Sequence, residues 1–184
     1  MRVLIAYGTG EGQTAKIAGR IAERLRSKGH TIEVADLGTA ATAPEGYDGV
    51  VVGASIHAGK YQREVVHWVG THGRTLNATP SWFFSVSLSE AGVLPGGGHQ
   101  AAQAVLDGFL TSSKWSPREA VSLAGAISYR RYSWPIRKLV QLVVKRYGGE
   151  ADTSRDHEYT DWEAVEGFAD RVDAGVAAAG IPAN

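Results

Sequence analysis

Residues 3–7, Val3, Leu4, Ile5, Ala6 and Tyr7, are apolar at every position and run straight into Gly8-Thr9-Gly10-Glu11-Gly12-Gln13-Thr14. A strand that is apolar on both faces must be covered on both faces. That is the setting of an interior strand in a parallel sheet with helices above and below. The pattern after the loop is helical: residues 13–28 carry Ile17, Ile21 and Leu25 at intervals of four and stop before Gly29. A chain that opens strand, glycine-rich loop, helix is committed to crossover connections.

The rest of the chain repeats the alternation. Residues 31–36, 48–54, 81–88 and 120–127 read as strands, the third marked by Val50, Val51 and Val52 and the fourth by Trp82, Phe83, Phe84 and Val86. Residues 61–72 and 99–110 read as helices. Thr160-Asp161-Trp162-Glu163 matches a capping box, which predicts a last helix to about residue 179. Five strands separated by helices imply parallel pairing through right-handed crossovers. The expected fold is one α/β domain over residues 1–184, an open doubly wound sheet whose ligand sits at the carboxyl ends of the strands. There is no internal repeat.

Composition removes several functions. Cysteine is absent, which excludes disulfides, thiolate zinc sites, cysteine-held iron–sulfur clusters and a cysteine nucleophile, and no metal site is expected. Lys+Arg and Asp+Glu are both 19, so the overall basic excess of a nucleic-acid binder is missing. Residues 4–7 already read as strand, so no secretory leader is expected. The longest apolar run, residues 139–144, contains Gln141 and falls far short of the ~20 residues of a membrane span.

The first loop is a phosphate cradle. Its glycines let backbone N–H groups turn toward an anion, the helix N-terminus adds partial positive charge, and Thr9 and Thr14 offer hydroxyls. Gln13 stands where a Walker loop needs lysine and where a dinucleotide fingerprint needs its third glycine, so both readings fail. The loop resembles the flavodoxin signature, which holds the phosphate of FMN. Thr9, Gly10, Gly12, Gln13 and Thr14 fit it. Glu11 departs where the family carries a hydroxyl, and its side chain is expected to point outward while its N–H still donates. The resemblance implies sheet order 2-1-3-4-5.

The second loop runs from Gly53 to Gln62. Flavodoxins carry a hydroxyl residue followed by Trp here, with a glycine and glutamine further on; Ser55, Gly59 and Gln62 match, and Ile56 replaces the Trp. One flavin face thus loses its usual cover unless His57 or Tyr61 supplies it, and an open face suits a small flat substrate. Gly53-Ala54-Ser55-Ile56-His57 is no nucleophile elbow, since that motif needs glycine at position 57. His57 is a candidate proton acceptor beside a flavin, because an imidazole takes and returns protons near neutral pH. The third loop begins at Ser85, Val86, Ser87 and Leu88, whose backbone is expected along the flavin edge. It lacks the tyrosine that stacks on flavin in many flavodoxins.

Residues 128–159, between the fifth strand and the last helix, are too long for an ordinary connection. Arg130, Arg131, Arg137, Lys138, Lys145 and Arg146 lie in its first part, with no Asp or Glu over residues 128–149. Residues 134–147 project as an amphipathic helix with Ile136, Leu139, Val140, Val143 and Tyr147 on one stripe. Such a basic helical insertion suits an anionic membrane surface or a carboxylate-bearing substrate.

Taken with Arg131-Tyr132, Trp134, Gly148-Gly149-Glu150, Asp152-Thr153 and Tyr159-Thr160-Asp161-Trp162, these motifs make the chain similar to the flavodoxin-type, menaquinone-linked protoporphyrinogen IX dehydrogenase family over nearly its full length. It departs at His57-Ala58, where the family has a basic–aromatic pair, and in residues 89–98, glycine-rich where the family is basic. The resemblance implies an FMN enzyme of haem synthesis that oxidises protoporphyrinogen IX and passes electrons to menaquinone or ubiquinone. It would work in the cytoplasm, peripherally on the inner face of the membrane, with no nucleic-acid partner and with homo-oligomers open. Thr9, Gly10, Glu11, Gly12, Gln13 and Thr14 would hold the phosphate. Ser55, Ile56, His57, Gly59, Ser85, Val86, Ser87 and Leu88 would border the ring, and Arg130, Arg131, Arg137 and Lys138 would meet the substrate or the lipid. The alternatives are a flavodoxin-like electron carrier and an FMN quinone reductase. Such carriers are usually strongly acidic, and this chain is not.

Overall fold

In a computed structural model the described residues are 1–40, 42–88, 90, 98–127 and 157–179. Neighbouring residues of an extended strand point to opposite faces, and here both faces are apolar. Strand β1 (Arg2–Gly8) sends Val3 and Ile5 to one face and Leu4 and Ala6 to the other. It pairs in parallel with β2 (Thr31–Asp36) on one side and β3 (Gly49–His57) on the other. Then come β5 (Ser81–Ser87), buried along its whole length, and β6 (Glu119–Ala124). The sheet order β2-β1-β3-β5-β6 is the expected 2-1-3-4-5. The added short strand β4 (Lys60–Tyr61) folds back antiparallel on the end of β3.

Helices α1 (Gln13–Ser27) and α4 (Trp162–Ala179) cover one face of the sheet, through Ile17, Ile21, Leu25, Val165, Phe168, Val172 and Val176. Helices α2 (Arg63–Ala78) and α3 (His99–Ser113) cover the other, over an aromatic cluster of Tyr61, Phe83, Phe109 and Trp115. Gly53 is obligatory for packing: a Cβ there would sit 2.1 Å from the Phe84 ring, which lies across β3.

Three expectations are corrected. The fifth strand does not reach residue 127. It ends at Ala124; Gly125 donates to the Ser87 carbonyl, and Ala126–Ile127 (β7) pairs antiparallel with His157–Glu158 (β8). The long insertion therefore leaves and returns through one two-stranded ladder. Tyr61 is not in the second helix: that helix starts at Arg63, after Gln62. The N-cap lies one residue later than the capping-box match puts it, and no capping box forms. Asp161, not Thr160, caps α4, its carboxylate accepting the Ala164 N–H at 3.0 Å. Thr160 is drawn elsewhere.

Candidate functional site

The carboxyl ends of β1, β3 and β5 bring the first, second and third loops together. In the first loop, Gly12 takes a left-handed φ of +94°, which turns the chain into α1. The Thr9 hydroxyl oxygen accepts the Gly12 N–H at 2.9 Å and closes the loop on itself. The first backbone bond of the helix runs from the Lys16 N–H to the Gly12 carbonyl, so the N–H groups of Gln13, Thr14 and Ala15 precede the helical ladder. No acidic residue lies in the first turn of α1. Thr14 is fully buried, and its Oγ1 is a buried polar atom without a hydrogen-bond partner, which ordinarily costs about 1–3 kcal/mol. A bound oxyanion removes that cost. The residues therefore fit a phosphate-bearing group. Glu11 is partly exposed and makes no ion pair among the described residues.

The loop is anchored from far along the chain. Gln13 is buried, and its Nε2 donates to Thr160 Oγ1 at 2.8 Å; that hydroxyl in turn donates to the Ala124 carbonyl at 2.9 Å. Lys16 Nζ pairs with Glu158 at 3.0 Å, and Trp162 Nε1 also donates to Glu158. The buried amide of Gln13 thus explains why a glutamine stands where other phosphate loops place lysine or glycine. Nothing in the local pattern pointed to Thr160 or Glu158 as partners of this loop; the capping-box match drew Thr160 to the wrong role.

In the second loop, His57 and Lys60 pair across a two-residue turn whose central residues, Ala58 and Gly59, have φ +48° and +74°. Two left-handed residues make the hairpin turn that matches strand twist. Alanine pays for this conformation with roughly 1–2 kcal/mol. Gln62 fastens the base: its Oε1 accepts the Ser55 N–H at 3.1 Å, and its Nε2 donates to Ser55 Oγ. The hairpin lays the exposed His57 ring against the first loop, so close that a Cβ on Gly10 would lie 2.5 Å from His57 Nε2. Ile56 packs partly buried against the core beneath.

The structure separates the two candidates for aromatic cover. Tyr61 is buried between Phe83 and Phe109, ring centroids 5.5 and 4.9 Å away, and its hydroxyl donates to Ser85 Oγ at 2.8 Å. Burial pushes its pKa up to about 12 even though the Ser85 hydrogen bond acts the other way. It is a neutral core residue. Only His57 stands at the loop. In the third loop the side chains of Ser85 and Val86 are likewise committed to the interior, and the Ser87 hydroxyl accepts the Glu90 N–H at 3.1 Å. Leu88 follows, partly buried. Arg130, Arg131, Arg137 and Lys138, and the helix expected over residues 134–147, lie outside the described residues. No helix among the described residues is long and apolar enough to cross a membrane.

The family model described as Flavodoxin domain matches residues 4–154. Two curated relatives carry the name protoporphyrinogen IX dehydrogenase [quinone]. One, from Escherichia coli K12, is 38% identical over 92% of this chain and 93% of its own length. The other, from Leishmania major, is 33% identical over 91% of this chain and 73% of its own. Among solved structures, a rubredoxin oxygen:oxidoreductase from Desulfovibrio gigas superposes with a TM-score of 0.60 at 14% identity, over 97% of this chain and 36% of that one. An archaeal flavodoxin gives 0.53 at 12%, over 96% and 99%. These last two speak to the fold alone. A flavodoxin domain implies a flavin cofactor. The chain belongs to the flavodoxin-domain family, in the branch of the quinone-linked protoporphyrinogen IX dehydrogenases.

Proposed function

We propose that this protein is an FMN-dependent protoporphyrinogen IX dehydrogenase of haem synthesis that delivers electrons to a membrane quinone, menaquinone or ubiquinone. The observation that carries the reading is the near full-length match, at 38% identity, to a relative of that name. The buried Thr14 hydroxyl behind the first loop, without a partner in the structure, supports a phosphate-bearing flavin. FMN, when bound, supplies the acceptor for hydrogen removed from the macrocycle.

Thr9, Gly10, Glu11, Gly12, Gln13 and Thr14 hold the phosphate, chiefly through backbone N–H groups, while Thr9 and Gln13 fix the loop from within. Ser55, Ile56, His57 and Gly59 form one border of the ring and Ser85, Val86, Ser87 and Leu88 the other. For Ser85 and Val86 the contact is backbone, since their side chains are buried. With Ile56 in place of a stacking tryptophan and Tyr61 withdrawn into the core, one ring face is left for a flat substrate. His57, whose ring lies against Gly10, is the candidate proton acceptor. Arg130, Arg131, Arg137 and Lys138 draw the enzyme to an anionic inner-membrane surface where its quinone is dissolved.

The test is anaerobic oxidation of protoporphyrinogen IX by FMN-reconstituted protein, followed by protoporphyrin fluorescence, with a menaquinone or ubiquinone analogue as acceptor. Quinone-dependent turnover above flavin-only controls is expected. Tight FMN binding without turnover would instead leave an electron carrier.

A further inference from the structure

On the sheet face away from α1 and α4, the β3–β4 hairpin and helices α2 and α3 enclose an open cleft of about 700 Å3, within the ~300–1,000 Å3 of ordinary ligand sites. Its floor is apolar: Val66, Val105 and the flanks of Tyr61 and Phe109, with Ala104 and Gly108 giving depth. Val66 is 45% exposed there. The rim carries Lys60, Arg63 and His67, all exposed, and none of the three side chains makes an ion pair or hydrogen bond with a described residue. On the opposite face Lys16, Arg20, Arg24 and Lys28 are all paired with carboxylates. The acid on the α3 side of the cleft, Asp107, is engaged by Gln103 Nε2 at 2.8 Å.

The Lys60 and Arg63 cations, unpaired among the described residues at the edge of an apolar floor, select an anion with a flat apolar body. We propose that this cleft is a docking site for a carboxylate-bearing tetrapyrrole, its macrocycle on Val66, Val105 and Phe109 and its carboxylates on Lys60 and Arg63. The proposal rests on the dehydrogenase reading and gives it a place. Gly59 and Lys60 belong to the hairpin that also carries His57, whose ring lies on Gly10. A ligand in the cleft thus borders the segment that reaches the phosphate loop.

The test uses FMN-reconstituted protein with protoporphyrin IX and its dimethyl ester as probes, read by porphyrin fluorescence anisotropy. The free diacid is expected to bind at least tenfold tighter than the ester. The K60Q/R63Q double variant is expected to lose that tenfold for the diacid alone. Val66→Asp, a change at an exposed position, should also weaken the diacid, while Arg74→Gln, exposed further along the same helix, should not; circular dichroism checks that each variant is folded. Equal binding of diacid and ester, or K60Q/R63Q with unchanged affinity, overturns the site. If wild type oxidises protoporphyrinogen and K60Q/R63Q keeps the same KM, the function stands and the cleft falls. If wild type does not oxidise it, the function falls and the porphyrin titrations alone decide the cleft.

Discussion

The two faces of the sheet solve the same covering problem differently. On one face α1 and α4 are laced by charge: Arg20 to Glu166, Arg24 and Lys28 to Asp170, Lys28 and His30 to Asp173. Beneath these pairs the core is closed, with Phe84 edge-on to Phe168 at 6.3 Å. On the other face α2 and α3 meet over the aromatic cluster but part above it, leaving the cleft with basic side chains that have no partner among the described residues. The closed face holds the helix that follows the first loop; the open face carries the hairpin beside it. A site that grips a cofactor needs a rigid backing, whereas one that admits and releases a substrate needs room.

Truncation is the strongest way to break this comparison. Phe168→Ala, in the closed face, should cost about 3–5 kcal/mol; Val66→Ala, on the wall of the cleft, should stay within ~0.5 kcal/mol. Urea unfolding measures both, and equal losses would erase the distinction between the faces. Next come the two loop glycines. A Cβ on Gly8 would meet Val65 Cγ2 at 2.5 Å. Val65 is fully buried and cannot move, so Gly8→Ala should cost about 1–3 kcal/mol. A Cβ on Gly10 meets the exposed His57 ring, which can swing away. Gly10→Ala should therefore leave stability nearly intact and lower flavin affinity, seen by fluorescence titration with FMN; the reverse pattern would mean that His57 is fixed for structural reasons.

A smaller effect tests the long-range anchor. Thr160→Val removes both the acceptor for Gln13 and the donor to the Ala124 carbonyl, at about 1–2 kcal/mol. Flavin affinity should drop several-fold with it, and a stability loss without any change in affinity would show the anchor to be independent of the loop. The smallest effect is on the charged seam. Hydrogen bonds from Arg24 and Lys28 hold the Asp170 pKa down, to about 2 from 3.8. A carboxylate depressed in the folded state adds stability above its unfolded value, and that contribution is lost as pH falls toward the folded one. Asp170 is half-exposed and screened by solvent, so the contribution is slight. Thermal melts taken down to about pH 2 should show Asp170→Asn with a shallower acid decline than wild type; parallel curves would leave the seam with no share in acid stability.

Much of this was legible from local pattern. The apolar run of β1, the glycine spacing after it and the four-residue period of α1 each refer only to their own neighbours in sequence, and each was found where the pattern put it. So was the strand order that the family resemblance implied. What failed were residues with two plausible employers. Ala126 and Ile127 are as strand-like as the residues before them, but Gly125 turns aside and their partners are His157 and Glu158. Tyr61 suits a helix start as well as a hairpin end. Thr160 and Asp161 are both good caps, and only the nearness of Gln13 and the end of β6 decides that Thr160 is needed elsewhere.

Sequence by itself settled the α/β class, the glycine-rich loop that opens α1, the isoleucine at position 56 and the family, because periodicity, backbone freedom and residue identity are properties of short segments. Tertiary structure alone decided that Gln13 is held by Thr160, that Tyr61 is a core residue while His57 lies on Gly10, and that the Lys60, Arg63 and His67 side chains stand around one cleft without a partner among the described residues. Those are contacts between segments tens of residues apart or more in chain order, and no local pattern encodes which buried donor will find which acceptor once the sheet has brought them within reach.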